Sequence, residues 1–198
     1  MITPDPKGVF INVPFDDRYE PMFITLVGTL VFLRQEPHCV LEVRERGDGR
    51  LARIFALMQS CRMSIHDISR AGVPARFNMP FELGLACAIK LADPAAYEVF
   101  LLDAKPFRVD RNLSDYKGRD PLIHGGSCDG MVACLLDAFE PAAGTPADFR
   151  RAARVLRKSA GLMKQQMKSP SLFRPSLFRA LIVVAMQIAR DHEFLDVR

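Results

Sequence analysis

The chain has 198 residues, 49% of them hydrophobic and 25% charged, a composition that suits a folded α/β domain with an appended piece and excludes a disordered chain. The longest strongly apolar run, ALIVVAMQIA at 180–189, is too short to span a bilayer, and the prolines and acid of MITPDPKGVF do not make a signal peptide; a cytoplasmic protein with no membrane partner is expected. Residues 1–144 hold 16 Lys plus Arg against 19 Asp plus Glu, a net of −3, whereas residues 145–198 hold 11 against 4, a net of +7. That change of sign divides the chain into an α/β domain, 1–144, and a basic and apolar helical extension, 145–198.

In chain order, GVFINVPF (8–15) is a β-branched and aromatic run closed by Pro14 and reads as a buried strand. RYEPMFITLVGTLVFLR (18–34) reads as a helix with Pro21 in its first turn. CVLEVR (39–44) is a second strand and ERGDG a turn. RLARIFALMQSCR (50–62) spaces Leu51, Ile54, Phe55 and Met58 along one helical face. MSIHDIS (63–69) is a third strand, followed by a polar loop and a helix from about Met79 and Pro80. YEVFLLDA (97–104) is a fourth strand; a long polar segment and a helix around 129–140 complete the domain.

Strands alternating with helices imply a parallel, doubly wound sheet of flavodoxin-like order 2-1-3-4, with room for a fifth strand. Its crevice opens where the winding reverses, at the carboxyl ends of strands 1 and 3. Those ends carry Asn12, Pro14, Phe15 and Asp16 on one side and Asp67, Ser69 and Arg70 on the other. The next helix begins near Asn78 and Met79, just after Phe77, and places Glu82 in its first turn. The five cysteines form no CxxC pair; they are expected to be reduced thiols, with Cys39 and Cys87 in the core and no metal site.

Asp67-Ile68-Ser69, a loop, then Asn78-Met79-x-x-Glu82-Leu83-Gly84-x-Ala86 resembles the TIR-like and nucleoside deoxyribosyltransferase-like superfamily. The opening VFINVPFDD is similar to that group's first strand and polar loop, so the resemblance spans roughly residues 8–104. The loop from Ser69 to Asn78 is longer than the compact form of the pattern, and residues 145–198 have no counterpart in the minimal fold. The resemblance implies that Glu82 is a catalytic carboxylate for breaking an N-glycosidic bond in NAD or a nucleoside. Other members of the group only bind nucleotides or act as assembly modules, which leaves a non-catalytic sensor as the alternative.

The chemistry agrees with that assignment. Ribosyl transfer builds positive charge on the sugar, and a carboxylate near the anomeric carbon stabilises or captures it. At a helix start the dipole favours the ionised form by about 0.3–1 kcal/mol. Asn12, Pro14, Phe15, Asp16, Asp67, Ser69, Arg70, Phe77 and Asn78 are the candidate substrate-binding residues: Asp67 and Ser69 for ribose hydroxyls, Arg70 or Arg76 for phosphate, Phe15 or Phe77 for stacking. NAD or a nucleotide is then substrate or ligand, with no helper cofactor and no metal.

Each residue also has a plainer reading. Glu82 suits ordinary charge complementation at a helix start. Asp67 suits a cap on the turn that follows it, and Asn12 and Asp16 suit turn formation. His66 alternates with Asp67 and so points to the other face, as a structural histidine. His124 is of interest because the glycines beside it could let a backbone approach phosphate, while Asp115 and Tyr116 are of interest by position alone, since loops after strand ends often close over ligands.

The extension opens with Thr145 as N-cap and Pro146 at the first helical position. Phe149, Ala152, Leu156, Met163 and Met167 mark an apolar face, and six basic residues cover much of the rest. Ser169 and Pro170 stop this helix. A last helix from Ser176 is apolar almost all round, so it must be buried on the domain or in a homo-oligomer. The basic helix can attract nucleic acid, though a solvated charged face is the preferred reading of its charge.

Overall fold

A computed structural model of the chain describes residues 4–43, 49–70, 77–107, 109, 113, 116 and 120–192. The strands are β1 (Asp5–Asn12), β2 (Glu36–Cys39), β3 (Cys61–Asp67), β4 (Glu98–Asp103) and β5 (Leu122–Ile123). The helices are α1 (Glu20–Phe32), α2 (Arg50–Ser60), α3 (Asn78–Ala92), α4 (Cys128–Ala138), α5 (Pro146–Gln166) and α6 (Pro175–Asp191). The strands form one parallel sheet in the order β2-β1-β3-β4-β5, the doubly wound α/β class expected from the alternation. The winding reverses between β1 and β3.

The chain clusters into two compact units: residues 1–14 with 38–126, and residues 15–37 with 127–198. In the first, α2 and α3 pack on one face of β1, β3 and β4. Phe10 meets Ile54 and Met58 of α2, while Val99 and Leu101 meet Leu83 and Ala86 of α3. Each large apolar side chain so buried contributes about 1.5–3 kcal/mol. Ala86 is fully buried in this layer, where its small side chain lets α3 lie close to the sheet. Tyr116 packs on the same cluster.

The second unit is helical: α1 packs against α4, α5 and α6. Phe15, Phe23 and Phe173 form an edge-to-face triangle with centroids 5.3–5.9 Å apart. At Gly28 a Cβ would stand 2.3 Å from Leu156 Cδ2, so α1 and α5 meet as closely as they do because this position has no side chain. The extension's two helices therefore share a compact unit with α1 and α4, a grouping by space that the charge boundary at residue 144 does not reveal.

Several elements differ from expectation. The second strand is Glu36–Cys39 and gives way to a 3-10 turn at Val40–Glu42, because Glu42 Oε1 reaches back 2.9 Å to accept from the Cys39 N–H. β5 is two residues long and lies inside the polar segment. Thr145 caps α5 as expected, in a capping box with Asp148. The buried face of α5 uses Ala153 and Ala160, while Met167 is 50% exposed. Helix α6 is buried on one side only, through Leu177, Phe178, Leu181, Ala185, Ile188 and Ala189, and leaves Val183 65% exposed. None of the five cysteines is in a disulfide; Cys39, Cys61 and Cys134 are buried and Cys87 is partly so.

Candidate functional site

Parallel register aligns the carboxyl ends of the strands in the first unit. Asn12 pairs with His66, Asp67 with Leu102, and Asp103 with Ile123. Because side chains alternate along a strand, the polar groups here sort onto two faces.

On the α3 side, Asn12 and His66 are both buried. Asn12 Nδ2 donates to the Met79 carbonyl at 3.0 Å and lies 3.1 Å from His66 Nδ1. His66 Nε2 lies 3.0 Å from Ser64 Oγ. An amide N–H facing Nδ1 requires that nitrogen to accept, so the proton sits on Nε2 and His66 is neutral. Burial lowers its pKa to about 3. This side chain is the structural histidine anticipated from the alternation. Asn12, offered as a substrate contact, instead ties the end of β1 to β3 and to the first turn of α3.

On the opposite face, Asp67 is fully buried. Its Oδ1 accepts from the Ser69 N–H at 2.8 Å, the turn-capping role that was its plainer reading. Its Oδ2 lies 3.1 Å from His124 Nε2, itself buried. Gly126 N–H donates to His124 Nδ1 at 3.0 Å, which leaves the proton on Nε2, facing Asp67. Gly125 and Gly126 both take positive φ, 62° and 69°, the backbone that brings this amide back onto the ring. The His124 N–H donates to the Asp103 carbonyl at 3.0 Å, and Asp103 Oδ1 accepts from the Lys105 N–H at 3.2 Å. The Asp67–His124 pair spans 57 positions of sequence, and no local pattern announces it. β3 ends at Asp67, so Ser69 lies in the turn that follows and the two do not share a strand face.

Glu82 stands in the second turn of α3, not the first, because the helix starts at Asn78. The dipole argument is correspondingly weaker, since that effect fades within a turn. Burial dominates instead: the half-buried carboxyl is raised from 4.5 to about 7, opposed by the positive charge of Arg50 at the start of α2. Arg50 was not among the residues expected to matter. Around this carboxyl α3 is exposed: Phe77 is 78% and Phe81 55% accessible, and Asn78 and Gly84 are open as well. Phe77 and Phe81 lie four apart and therefore on one helical face. Among the described residues, nothing stands within 4 Å of where a Gly84 Cβ would be.

Among the other expected contacts, Pro14 is buried, and Ser69 and Arg70 are half-buried. Phe15 and Asp16 belong to the second unit, where Phe15 packs on Phe23 and Phe173 and Asp16 Oδ1 accepts from the Tyr19 N–H at 3.0 Å. Arg76 and Asp115 lie outside the described residues.

No protein-family model matches this chain, and no curated protein matches it. No helix among the described residues is long and apolar enough to cross a membrane.

Proposed function

We propose that this protein cleaves or transfers an N-glycosidic bond of a nucleotide or nucleoside, NAD included, with Glu82 as the reacting carboxylate. The observation that carries the reading is the half-buried Glu82 carboxyl with its pKa near 7, on a helix whose start exposes Phe77 and Phe81. A carboxyl raised by burial and facing a specific charge partner is a mark of functional sites, and exposed rings offer a nucleobase a surface to stack on.

In the reaction the bond from C1′ to the base nitrogen breaks and its electron pair leaves with the base. The ionised Glu82 stabilises the oxocarbenium ion or bonds to C1′ through a carboxylate oxygen. Water, or a second base in a transfer reaction, then bonds to C1′, displacing Glu82 as a carboxylate where it had bonded, and the proton of the attacking group passes to solvent or to the departed base. Asn78, Ser69 and Arg70 orient sugar and phosphate. The buried Asn12–His66 and Asp67–His124 pairs hold the strand ends and loops that carry these groups.

The test is release of free base from NAD and a nucleoside panel, followed by chromatography for wild type and Glu82→Gln, each dilute and concentrated to allow for a homo-oligomer. Base released by wild type and lost in the variant supports the reading. Absence of release from every substrate, with a nucleotide raising the melting temperature of wild type and Glu82→Gln but not of Phe77→Ala, would move the same site to signal binding.

A further inference from the structure

A groove of about 670 Å³ lies wholly within the helical unit. Its walls are the first turns of α1 (Glu20, Pro21, Ile24), one face of α5 (Arg157, Gly161, Lys164) and Lys168, just past the end of that helix. Three cations and one carboxylate line it. None of these residues lies in the unit that holds Glu82.

The single acid is already engaged. Glu20 Oε1 accepts from Lys164 Nζ at 2.7 Å, and Oε2 accepts from the Leu172 N–H at 3.1 Å. Arg157 donates one N–H to the Thr25 hydroxyl at 2.8 Å, which fixes the guanidinium while its other donors remain for a ligand. Lys168 stands exposed at the rim. The basic side chains would have a simpler task if the last carbonyls of α5 needed them. They do not: the Ser169 N–H closes on the Lys164 carbonyl at 3.0 Å, and the Lys168 N–H on the Gln165 carbonyl at 3.1 Å. That double closure puts Lys168 at φ 46°, a position where glycine is the unstrained residue. A cation therefore occupies the place in the cap that glycine would fill with less strain.

Gly161 lies between the basic residues on α5 and is exposed, with nothing within 4 Å of a Cβ built there. The helix surface at that point is bare backbone. Pro21, Ile24 and Pro170 give the groove an apolar side. A fixed guanidinium and a mobile ammonium beside an apolar wall match an organic phosphate better than a bare ion, and the volume is in the range of small-molecule sites.

We propose that this groove binds a small organic phosphate of mononucleotide size, its phosphate held by Arg157 and Lys168 and its remainder lying over Pro21 and Ile24. The proposal does not rest on the glycosidase reading.

The test is thermal unfolding of the full chain with adenosine monophosphate, with adenosine, and with neither, beside flotation with phosphatidic acid vesicles. Two variants keep the fold: Lys168→Gly relieves the cap, and Gly161→Leu improves the helix while filling the groove. Both should melt at or above the wild-type temperature without ligand. Adenosine monophosphate should raise the wild-type melting temperature where adenosine does not, with affinity falling about tenfold or more in each variant. Glu82→Gln should keep the full response. A shift that persists unchanged in Lys168→Gly and Gly161→Leu, an equal shift with adenosine, no shift at all, or binding to vesicles alone would each overturn the proposal.

Discussion

Replacing Glu82 by Gln should make the protein more stable at pH 8 and should not do so at pH 4.5. Burial raises this carboxyl from 4.5 to about 7, so the folded state binds its proton more tightly than the unfolded chain does. The stabilisation this brings is complete below pH 4.5 and is lost as pH rises through 7. At about 1.4 kcal/mol per pKa unit, the ionised form is disfavoured by about 3 kcal/mol, and the open side of the half-buried group reduces this to about 1–3 kcal/mol. Gln keeps the shape and never ionises. Urea unfolding of both proteins, at intervals from pH 4.5 to 8.5, should therefore show the variant gaining on wild type across the interval and levelling off above about pH 7.5. A difference independent of pH would refute the reasoning, because the carboxyl would then ionise in the fold as it does in the unfolded chain.

His66 works in the opposite direction. Its pKa is lowered by burial to about 3, so wild type should lose stability as pH falls from 6.5 towards 3, and His66→Gln should remove one proton's worth of that slope in acid denaturation. Asn12→Ala should cost about 1–3 kcal/mol in urea, since the Met79 carbonyl and His66 Nδ1 both lose a donor; an unchanged midpoint would mean that Asn12 serves a ligand and not the fold. Gly28→Val should destabilise by about 1–3 kcal/mol through overpacking on Leu156, with Leu156→Ala in the same chain recovering part of the loss.

The sheet order was legible because the apolar runs of β1, β3 and β4 alternate with helical stretches, and a parallel sheet with short connections has few ways to wind. The start of α5 was legible because Thr145 and Pro146 are local signals. What escaped reading depended on contacts distant in sequence or on single side chains. The second strand was misplaced because Val40 and Leu41 look like strand residues, while Glu42 turns the chain by capping Cys39. The two-residue β5 has no periodicity to detect. The one-sided burial of α6 follows from what α1 and α5 cover, which the uniformly apolar sequence of 180–189 does not encode.

The site divided in the same way. Glu82 stood out as an acid in an apolar helix, but its pKa depends on burial and on Arg50, 32 positions earlier. Asp67 was visible at a strand end, and its partner His124 was visible only as a histidine beside two glycines. Pairing them required the sheet.

We propose the Glu82 carboxyl, which burial holds near pH 7, as the group that breaks the N-glycosidic bond. The pH dependence of base release, measured on whichever nucleotide or nucleoside wild type cleaves, tests it most directly. With Glu82 reacting as the carboxylate, kcat/KM should rise about tenfold per pH unit below about pH 7 and be flat above it, with release abolished in Glu82→Gln. A profile already flat from pH 5 to 8, or undiminished release by Glu82→Gln, would contradict it.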